Sequence, residues 1–458
     1  MRLIIFGLGK IFEKYADTLE NHYHIVAYMD NDSQKLGKII NGIPVISPYD
    51  IGNTDYDKIV IMSDYAVEMR KQLKEVGVPD NKIFYYKDYL RNTPFSLKPV
   101  KATEMSRKAI IITSSVGYHG GAMAAVFLAQ SLNEKGYYVT IAAPEIDNKF
   151  ICEFSNENIG FQECLSIQFS KKINKDTFNE YDFILVNTFP MVMCALEINK
   201  YRKVVLWLHE CDEAYRCMDY WKEEIITDCQ KSNLQIYAVS KVAKKCFEKN
   251  ICKKNIGIFP YAIKDTGVVQ NKHKSDRMSF AIVGSIYPLK QQMLFLEAID
   301  KLKPAERSKC DFYIVGKSGN DKYYEKVKQK ASEMGDIKLV GELNRNELSE
   351  FYPNLDVLVI PSKQECMPLV ATEAMMYGKV CIITKNAGMS EYIDNLKDGI
   401  ILNKCDKNGI AKAMEYCIYH CDELDSMGRN ARDKYLNDFT MEKMKSNLDD
   451  MIKVAELY

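Results

Sequence analysis

No stretch of this sequence approaches the roughly eighteen consecutive apolar residues that a membrane-spanning helix requires. An excess of either charge is also missing. The 62 Lys and Arg cancel 62 Asp and Glu, which removes the general electrostatic case for nucleic acid as a partner. A local basic face for anionic lipid is compatible with that balance. Cysteine is absent from the first 151 residues, and none of the 14 further on forms a CxxC pair. Cys194, Cys366, Cys381 and Cys417 lie among apolar neighbours, the setting of buried free thiols, so a reducing cytoplasm is expected. The nearest thing to a metal cluster, Cys417-Ile-Tyr-His420-Cys421, lacks a second ligand group and reads as a packed helix face. The opening MRLIIFGLGK has too short an apolar run for a signal peptide and no small-residue cleavage site. It reads as a strand entering a glycine turn.

What is present is a chain of 458 residues, 47% apolar and 27% charged, long enough for two or three soluble globular domains. Short buried strands alternate with helical patterns from end to end, which predicts parallel sheets covered by helices, an α/β fold. Residues 1–90 form a first unit, with strands at Arg2–Phe6 and His24–Met29, a helix over Ile11–Leu19, and further strands at Lys58–Ser63 and Lys82–Tyr86. Gly7-x-Gly9, with Asp30 closing the second strand, is part of a dinucleotide fingerprint, but Phe12 replaces its third glycine. Gly7, Gly9 and Asp30 are therefore the nucleotide candidates of this unit. No Tyr-x3-Lys pair follows to support redox chemistry. Residues 91–107 read as a linker on their two prolines and lack of period.

A second unit, 108–270, starts with the strand Ala109–Thr113. It continues through SSVGYHGG into a helix from Ala122, and Gly120 and Gly121 let backbone approach a ligand closely there. Its strand Val204–Leu208 delivers His209 and Glu210 to the carboxyl edge of the sheet, where open α/β sheets bind ligands. A structural pairing of His209 with Glu210 is the alternative reading. The polar run Lys264–Arg277 reads as a hinge. In a third unit, 271–435, the strand Phe280–Gly284 leads through Ser285 to Lys290 and a helix over Gln291–Leu302.

The most informative stretch is Asp356–Ile393, DVLVIPSKQECMPLVATEAMMYGKVCIITKNAGMSEYI. A strand (Val357–Pro361) runs into a loop bearing Glu365, and a helix opens near Pro368, a residue suited to a first helical turn. The free N–H groups of that turn and the helix dipole make an anion site. Glu365 before it and Glu373 within it flank that site with two carboxylates, which accept hydrogen bonds from sugar hydroxyls. A nucleotide-sugar has both features, a diphosphate and hydroxyls on either side.

This Glu-x7-Glu arrangement, with TEAMMYGKVCIIT and Gly388-x-x-Glu391 behind it, resembles the donor signature of retaining glycosyltransferases of family 4. The resemblance covers roughly residues 106–458. It implies the GT-B architecture: two facing Rossmann-like domains, C-terminal crossing helices (436–458 returning to the first), and here an added N-terminal Rossmann-like unit. It implies transfer of a sugar from a nucleoside diphosphate, UDP or GDP, to a hydroxyl acceptor with retained configuration and no metal. His209, Lys290 and Glu365 take the catalytic places, and Ser285, Met367, Pro368, Leu369, Val370 and Glu373 the donor-binding ones. Gly120 and Gly121 lie on the acceptor side of the cleft. The family usually has an arginine where Ser285 stands, so phosphate binding leans on helix N–H groups or on an arginine from elsewhere. Cell-envelope or capsular polysaccharide assembly on a lipid-linked acceptor, at the inner membrane face of a bacterium, follows by analogy. The rival readings are a glycan phosphorylase, which would share the fold but needs a lysine-bound pyridoxal phosphate with no local signature here, a sugar-nucleotide epimerase or dehydrogenase in residues 1–90, binding a dinucleotide, and an inactive nucleotide-sugar-binding protein.

Overall fold

The computed structural model describes residues 1–20, 23–91, 97–98, 107–164, 166–266 and 277–457. Most of the expected linker, and residues 267–276 of the expected hinge, lie outside them. Three sheets follow one another along the chain. The first holds β1 (Arg2–Phe6), β2 (His24–Met29), β3 (Ile39–Ile40), β4 (Ile43–Ile46), β5 (Lys58–Ile61) and β6 (Ile83–Tyr85), in the order β3-β4-β2-β1-β5-β6. All its pairings are parallel except the small hairpin β3–β4. That hairpin escapes the periodicity argument because two residues carry too little pattern to read.

The second sheet holds β7 (Arg107–Ile112), β8 (Tyr137–Ala143), β9 (Ile159–Glu163), β10 (Phe183–Asn187), β11 (Val205–Leu208), β12 (Gln235–Ala238) and β13 (Ile256–Ile258). Its order is β13-β12-β11-β10-β7-β8-β9, parallel throughout. The third holds β14 (Met278–Val283), β15 (Cys310–Val315), β16 (Ile337–Gly341), β17 (Val357–Ile360), β18 (Val380–Thr384) and β19 (Ile400–Leu402), in the order β16-β15-β14-β17-β18-β19, again all parallel. Central strands such as β10, β14, β17 and β18 are buried at every position. Burial on both faces is why they read as continuous apolar runs rather than alternating ones. In both large sheets the strand order reverses beside the first strand. That is the switch point at whose carboxyl edge a crevice opens.

One hydrophobic cluster runs from the first sheet through the second to the near face of the third, and a separate cluster fills the far face of the third. The first unit is docked on the second. Arg70 and Asp88 hold the Tyr220 hydroxyl at 2.7 and 2.9 Å, and Arg91 pairs with Glu224 at 2.6 Å. Beyond β19 the chain is helical over Lys407–Tyr419, Cys421–Asp438 and Met441–Leu457. The last helix lies against Gly120–Glu134 of the second unit, with Lys445–Glu134 at 2.7 Å and Lys135–Asp449 at 2.5 Å. The helix break at His420 puts Cys417 in the core and Cys421 at the surface, so the three residues do not share one helix face. All fourteen thiols are free. Among the described residues no helix is long and apolar enough to cross a membrane.

Candidate functional site

The carboxyl edges of the second and third sheets meet. Leu369, at the start of the helix Leu369–Met376, lies 3.8 Å from where a Cβ on Gly120 would stand. Asp212 N–H donates to Gln364 Oε1 at 3.0 Å, and Ser240 Oγ donates to Cys366 O at 2.6 Å. Tyr261 OH donates to Met367 O at 2.7 Å. The loop between β17 and the helix is thus gripped by three separate segments of the second unit.

Within that loop Glu365 sits as a ladder residue, opposite Ala387, and Gly388 N–H donates to its carbonyl at 2.8 Å. Its carboxylate forms an ion pair with Lys290 and accepts from Ser362 Oγ at 3.1 Å. Lys290 is delivered by the turn after β14, which is tied to the same loop by the bond from Lys363 N to Leu289 O at 2.9 Å. Lys290 and Glu365, 75 residues apart, are brought together directly. Ser285 contributes its carbonyl to Gln292 at 3.0 Å. Pro368 is the residue before the helix (φ −70°, ψ 120°) rather than a member of its first turn, because its extended ψ ends the loop. Leu369 and Val370 are half-buried, and Met367 is buried.

Glu373 lies one turn into the helix and accepts from Tyr352 OH at 2.8 Å. Burial raises its pKa above the ordinary carboxylate value, against the Tyr352 bond and the nearby positive charge of Arg345. His209 stands across the cleft. Its Nε2 is buried without a hydrogen-bond partner, and burial, with His119 adjacent, pushes its pKa down to about 3, so the ring is neutral. A buried polar atom without a partner costs stability unless something binds to it. The pairing of His209 with Glu210 through the ring does not form. The Glu210 carboxylate instead accepts from the His209 backbone N–H at 2.8 Å, and burial raises its own pKa to about 7.

The two glycines play different parts. A Cβ on Gly121 would lie 3.1 Å from Thr188 Cγ2, so close packing requires its absence. Thr188 itself holds φ 81° at the end of β10, a strained value for a β-branched residue. Gly120 faces the opposite unit. In the first unit Gly7, Gly9 and Asp30 line one cavity of about 600 Å³ with Lys35, Ser63 and Tyr65.

Sequence reasoning missed the contacts of several residues near the cleft. His119 caps the helix Gly120–Glu134, with Ser115 Oγ 3.0 Å from its Nε2. Glu391 of the third unit accepts from Lys241 and Val242 N–H at 3.1 Å each, capping a helix of the second. Arg345 reaches from the third unit to Glu153 at 3.9 Å and lies over the rings of Phe127 and Phe154 at 5.9 and 5.7 Å. The first of these had a signal in the histidine just before the glycine pair. Glu391 stands in the Gly388-x-x-Glu391 piece of the signature, but its capping role had no signal, and Arg345 had none at all, since the partners lie about 150 or more residues away. Among the described residues no three His, Cys, Asp or Glu are placed to hold a metal ion.

Comparison with known proteins bears on this geometry. Residues 264–434 match the family described as glycosyl transferases group 1, and residues 1–84 match one described as C2185-like, N-terminal. The chain is 24% identical over 238 residues to the lipopolysaccharide 1,2-N-acetylglucosaminetransferase of Salmonella typhimurium, across 48% of this chain and 59% of that one. It is 26% identical over 244 residues to an uncharacterized 41.2 kDa protein of the cps region of Klebsiella pneumoniae, across 49% and 64%. The match thus spans less than two thirds of each relative. Among solved structures, Anabaena HepE in complex with UDP-glucose superposes with a TM-score of 0.65 at 14% identity, over 76% of this chain and 99% of its own. WaaG, a glycosyltransferase involved in lipopolysaccharide biosynthesis, does so with 0.56 at 15%, over 75% and 99%. The architecture is GT-B, and its third unit is the part that resembles the group 1 glycosyl transferases.

Proposed function

We propose that this chain is a retaining glycosyltransferase that moves a sugar from a nucleoside-diphosphate donor to a hydroxyl acceptor without a metal. The observation that carries the reading is the Lys290–Glu365 pair at the head of the helix Leu369–Met376, with the unpartnered Nε2 of His209 at the carboxyl edge of the second sheet. Lys290 and the free N–H groups of that helix stabilise the charge that builds on the leaving diphosphate, where preorganised electrostatics contributes most. Donor binding replaces Glu365 by phosphate as the partner of Lys290 and frees Glu365 for sugar hydroxyls. Glu373 holds the ribose, and Tyr352 orients its carboxylate. His209 Nε2 meets the sugar near its primary hydroxyl. Ser285, Met367, Pro368, Leu369 and Val370 shape the donor bed. The acceptor enters past Gly120 and Gly121. Its hydroxyl attacks on the face the diphosphate leaves, and the departing phosphate oxygen takes its proton. Glu365 is not a covalent nucleophile, because the two acids flank a nucleotide site rather than a scissile bond.

The HepE complex favours UDP over GDP as the donor base. The named relatives favour surface polysaccharide assembly, one of them a transferase onto GlcNAc-diphosphoundecaprenol in Escherichia coli, which supports a lipid-linked acceptor and peripheral work at a membrane face. A second reading places a nucleotide in the cavity of the first unit, on Gly7 and Gly9. Asp30 there already accepts from Leu8 N–H at 2.8 Å and from Lys35 at 3.1 Å.

The test is a thermal-shift screen against UDP-, GDP-, ADP- and TDP-sugars, with NAD and coenzyme A alongside, repeated in Glu373→Ala. Stabilisation by one sugar-nucleotide series, lost in the variant, is the expected result. A shift by NAD alone would move the activity to the first unit and overturn the reading.

A further inference from the structure

Three thiols from three separate segments converge at the seam between the second and third units. Cys211 follows β11, two residues after His209. Cys246 lies on the helix Lys241–Asn250, and Cys366 directly follows Glu365. Cys211 Sγ is 3.0 Å from Cys366 Sγ. Cys246 lies beside them, with Gln364 Nε2 donating to its Sγ at 3.3 Å from the same loop as Cys366. Cys246 and Cys366 are buried and Cys211 is partly exposed, so the cluster has one entry. Packing alone does not require three sulfurs here, because any small apolar residue fills such a gap.

We propose that Cys211 and Cys366 form a site of reversible thiol oxidation whose product, a Cys211–Cys366 disulfide, ties the two cleft-forming units together. The co-reactant is a peroxide. The Cys211 thiolate takes one oxygen as the O–O bond breaks and hydroxide leaves, giving a sulfenic acid. The Cys366 sulfur then attacks the Cys211 sulfur. The S–S bond forms, and the sulfenic hydroxyl departs as water with the Cys366 proton. Two thiols and one peroxide become one disulfide and two waters, and a dithiol reverses the step. The sulfurs need to approach by only about 1 Å, since the bond length is about 2.05 Å.

The bond joins the loop that carries His209 to the loop that carries Glu365. The two units then lose the relative motion that a cleft enzyme needs to admit donor and release product. Residues 211–366 become one closed loop, which constrains the unfolded chain and raises the melting temperature.

The experiment treats the full-length protein with hydrogen peroxide, blocks remaining thiols and maps linked peptides by mass spectrometry, with melting followed in parallel. A Cys211–Cys366 peptide and a melting rise of several degrees, both reversed by dithiothreitol, are expected. Cys211→Ser abolishes both and Cys246→Ser keeps both. Peroxide that leaves Cys211 and Cys366 reduced, or links other cysteines instead, overturns the proposal. So does a melting curve unmoved by the disulfide. A further arm rests on the donor reading: UDP dissociates at least tenfold more slowly from the oxidised protein. If UDP binds neither form while the linked peptide appears, the donor reading fails and the oxidation site stands.

Discussion

In the first unit a lysine and a carboxylate meet at the carboxyl edge of a parallel sheet, Lys35 with Asp30 at 3.1 Å, and in the third unit Lys290 meets Glu365. Asp30 is turned back onto its own glycine turn. It accepts from Leu8 N–H at 2.8 Å and Asp32 N–H at 2.9 Å, and these bonds with Lys35 hold its pKa below the ordinary value against burial. Its oxygens are occupied by the chain that made the turn. Glu365 instead has the Lys290 ammonium and one serine hydroxyl for partners, and its loop is clamped by a second unit. An acid held by backbone amides is a structural lock. One held by a lysine is, on the proposed reading, an exchangeable site, because a phosphate would take the lysine over. Two similar motifs at similar places in similar sheets therefore have different partners.

The largest effect that tests this contrast is Lys290→Ala. Turnover falls by about 10²–10³, the scale of losing one preorganised charge-stabilising group, while melting barely changes. The matching Lys35→Ala leaves turnover unaltered. Equal losses in the two variants would break the comparison. Gly388→Ala comes next. Its Cβ would stand 1.8 Å from Cys366 O and 2.4 Å from Ser240 Oγ, so the clamp around Glu365 must open. A destabilisation of about 1–3 kcal/mol in urea unfolding is expected, with weakened donor binding.

A pH series sharpens the contrast further. The His209 pKa lies near 3 in the folded state, below its ordinary value, so the unfolded chain binds the proton first. Its contribution to stability is complete above about pH 6.5 and is lost as the pH falls toward 3. Glu210 is the reverse. Its folded pKa near 7 exceeds the unfolded one, so its contribution is complete below about pH 4.5 and is lost as the pH rises to 7. Between pH 4.5 and 6.5 the two slopes oppose each other. His209→Gln removes one, and stability then rises as the pH drops from 7 toward 4.5. The smallest effect is Asp30→Asn, about 1 kcal/mol, read as faster hydrogen exchange in the turn at Leu8 with donor binding intact.

Much of this was readable in advance. The strands β1 and β2 are where their apolar runs place them, β11 and β17 fall within one residue of theirs, and the strand, loop and helix around Glu365 have the expected order. Other features were hidden for definite reasons. The strand β9 carries Gly160 and a half-exposed face, so it shows neither an apolar run nor clean alternation. Pro368 precedes its helix because the loop, held from the second unit at Cys366 and Met367, stays extended one residue longer.

Local chemistry, set by the sequence alone, determined the alternation of strands and helices, the parallel sheets, and which residues stand at their carboxyl edges, because periodicity and turn residues act over a few positions. Which of those edge residues meet was decided only by the tertiary structure. The pairing of Lys290 with Glu365, the cap that Glu391 places on a helix of another unit and the gathering of Cys211, Cys246 and Cys366 depend on how two sheets face each other. That is settled by burying apolar surface across the whole chain, a non-directional force that leaves no local mark on any of the residues it brings together.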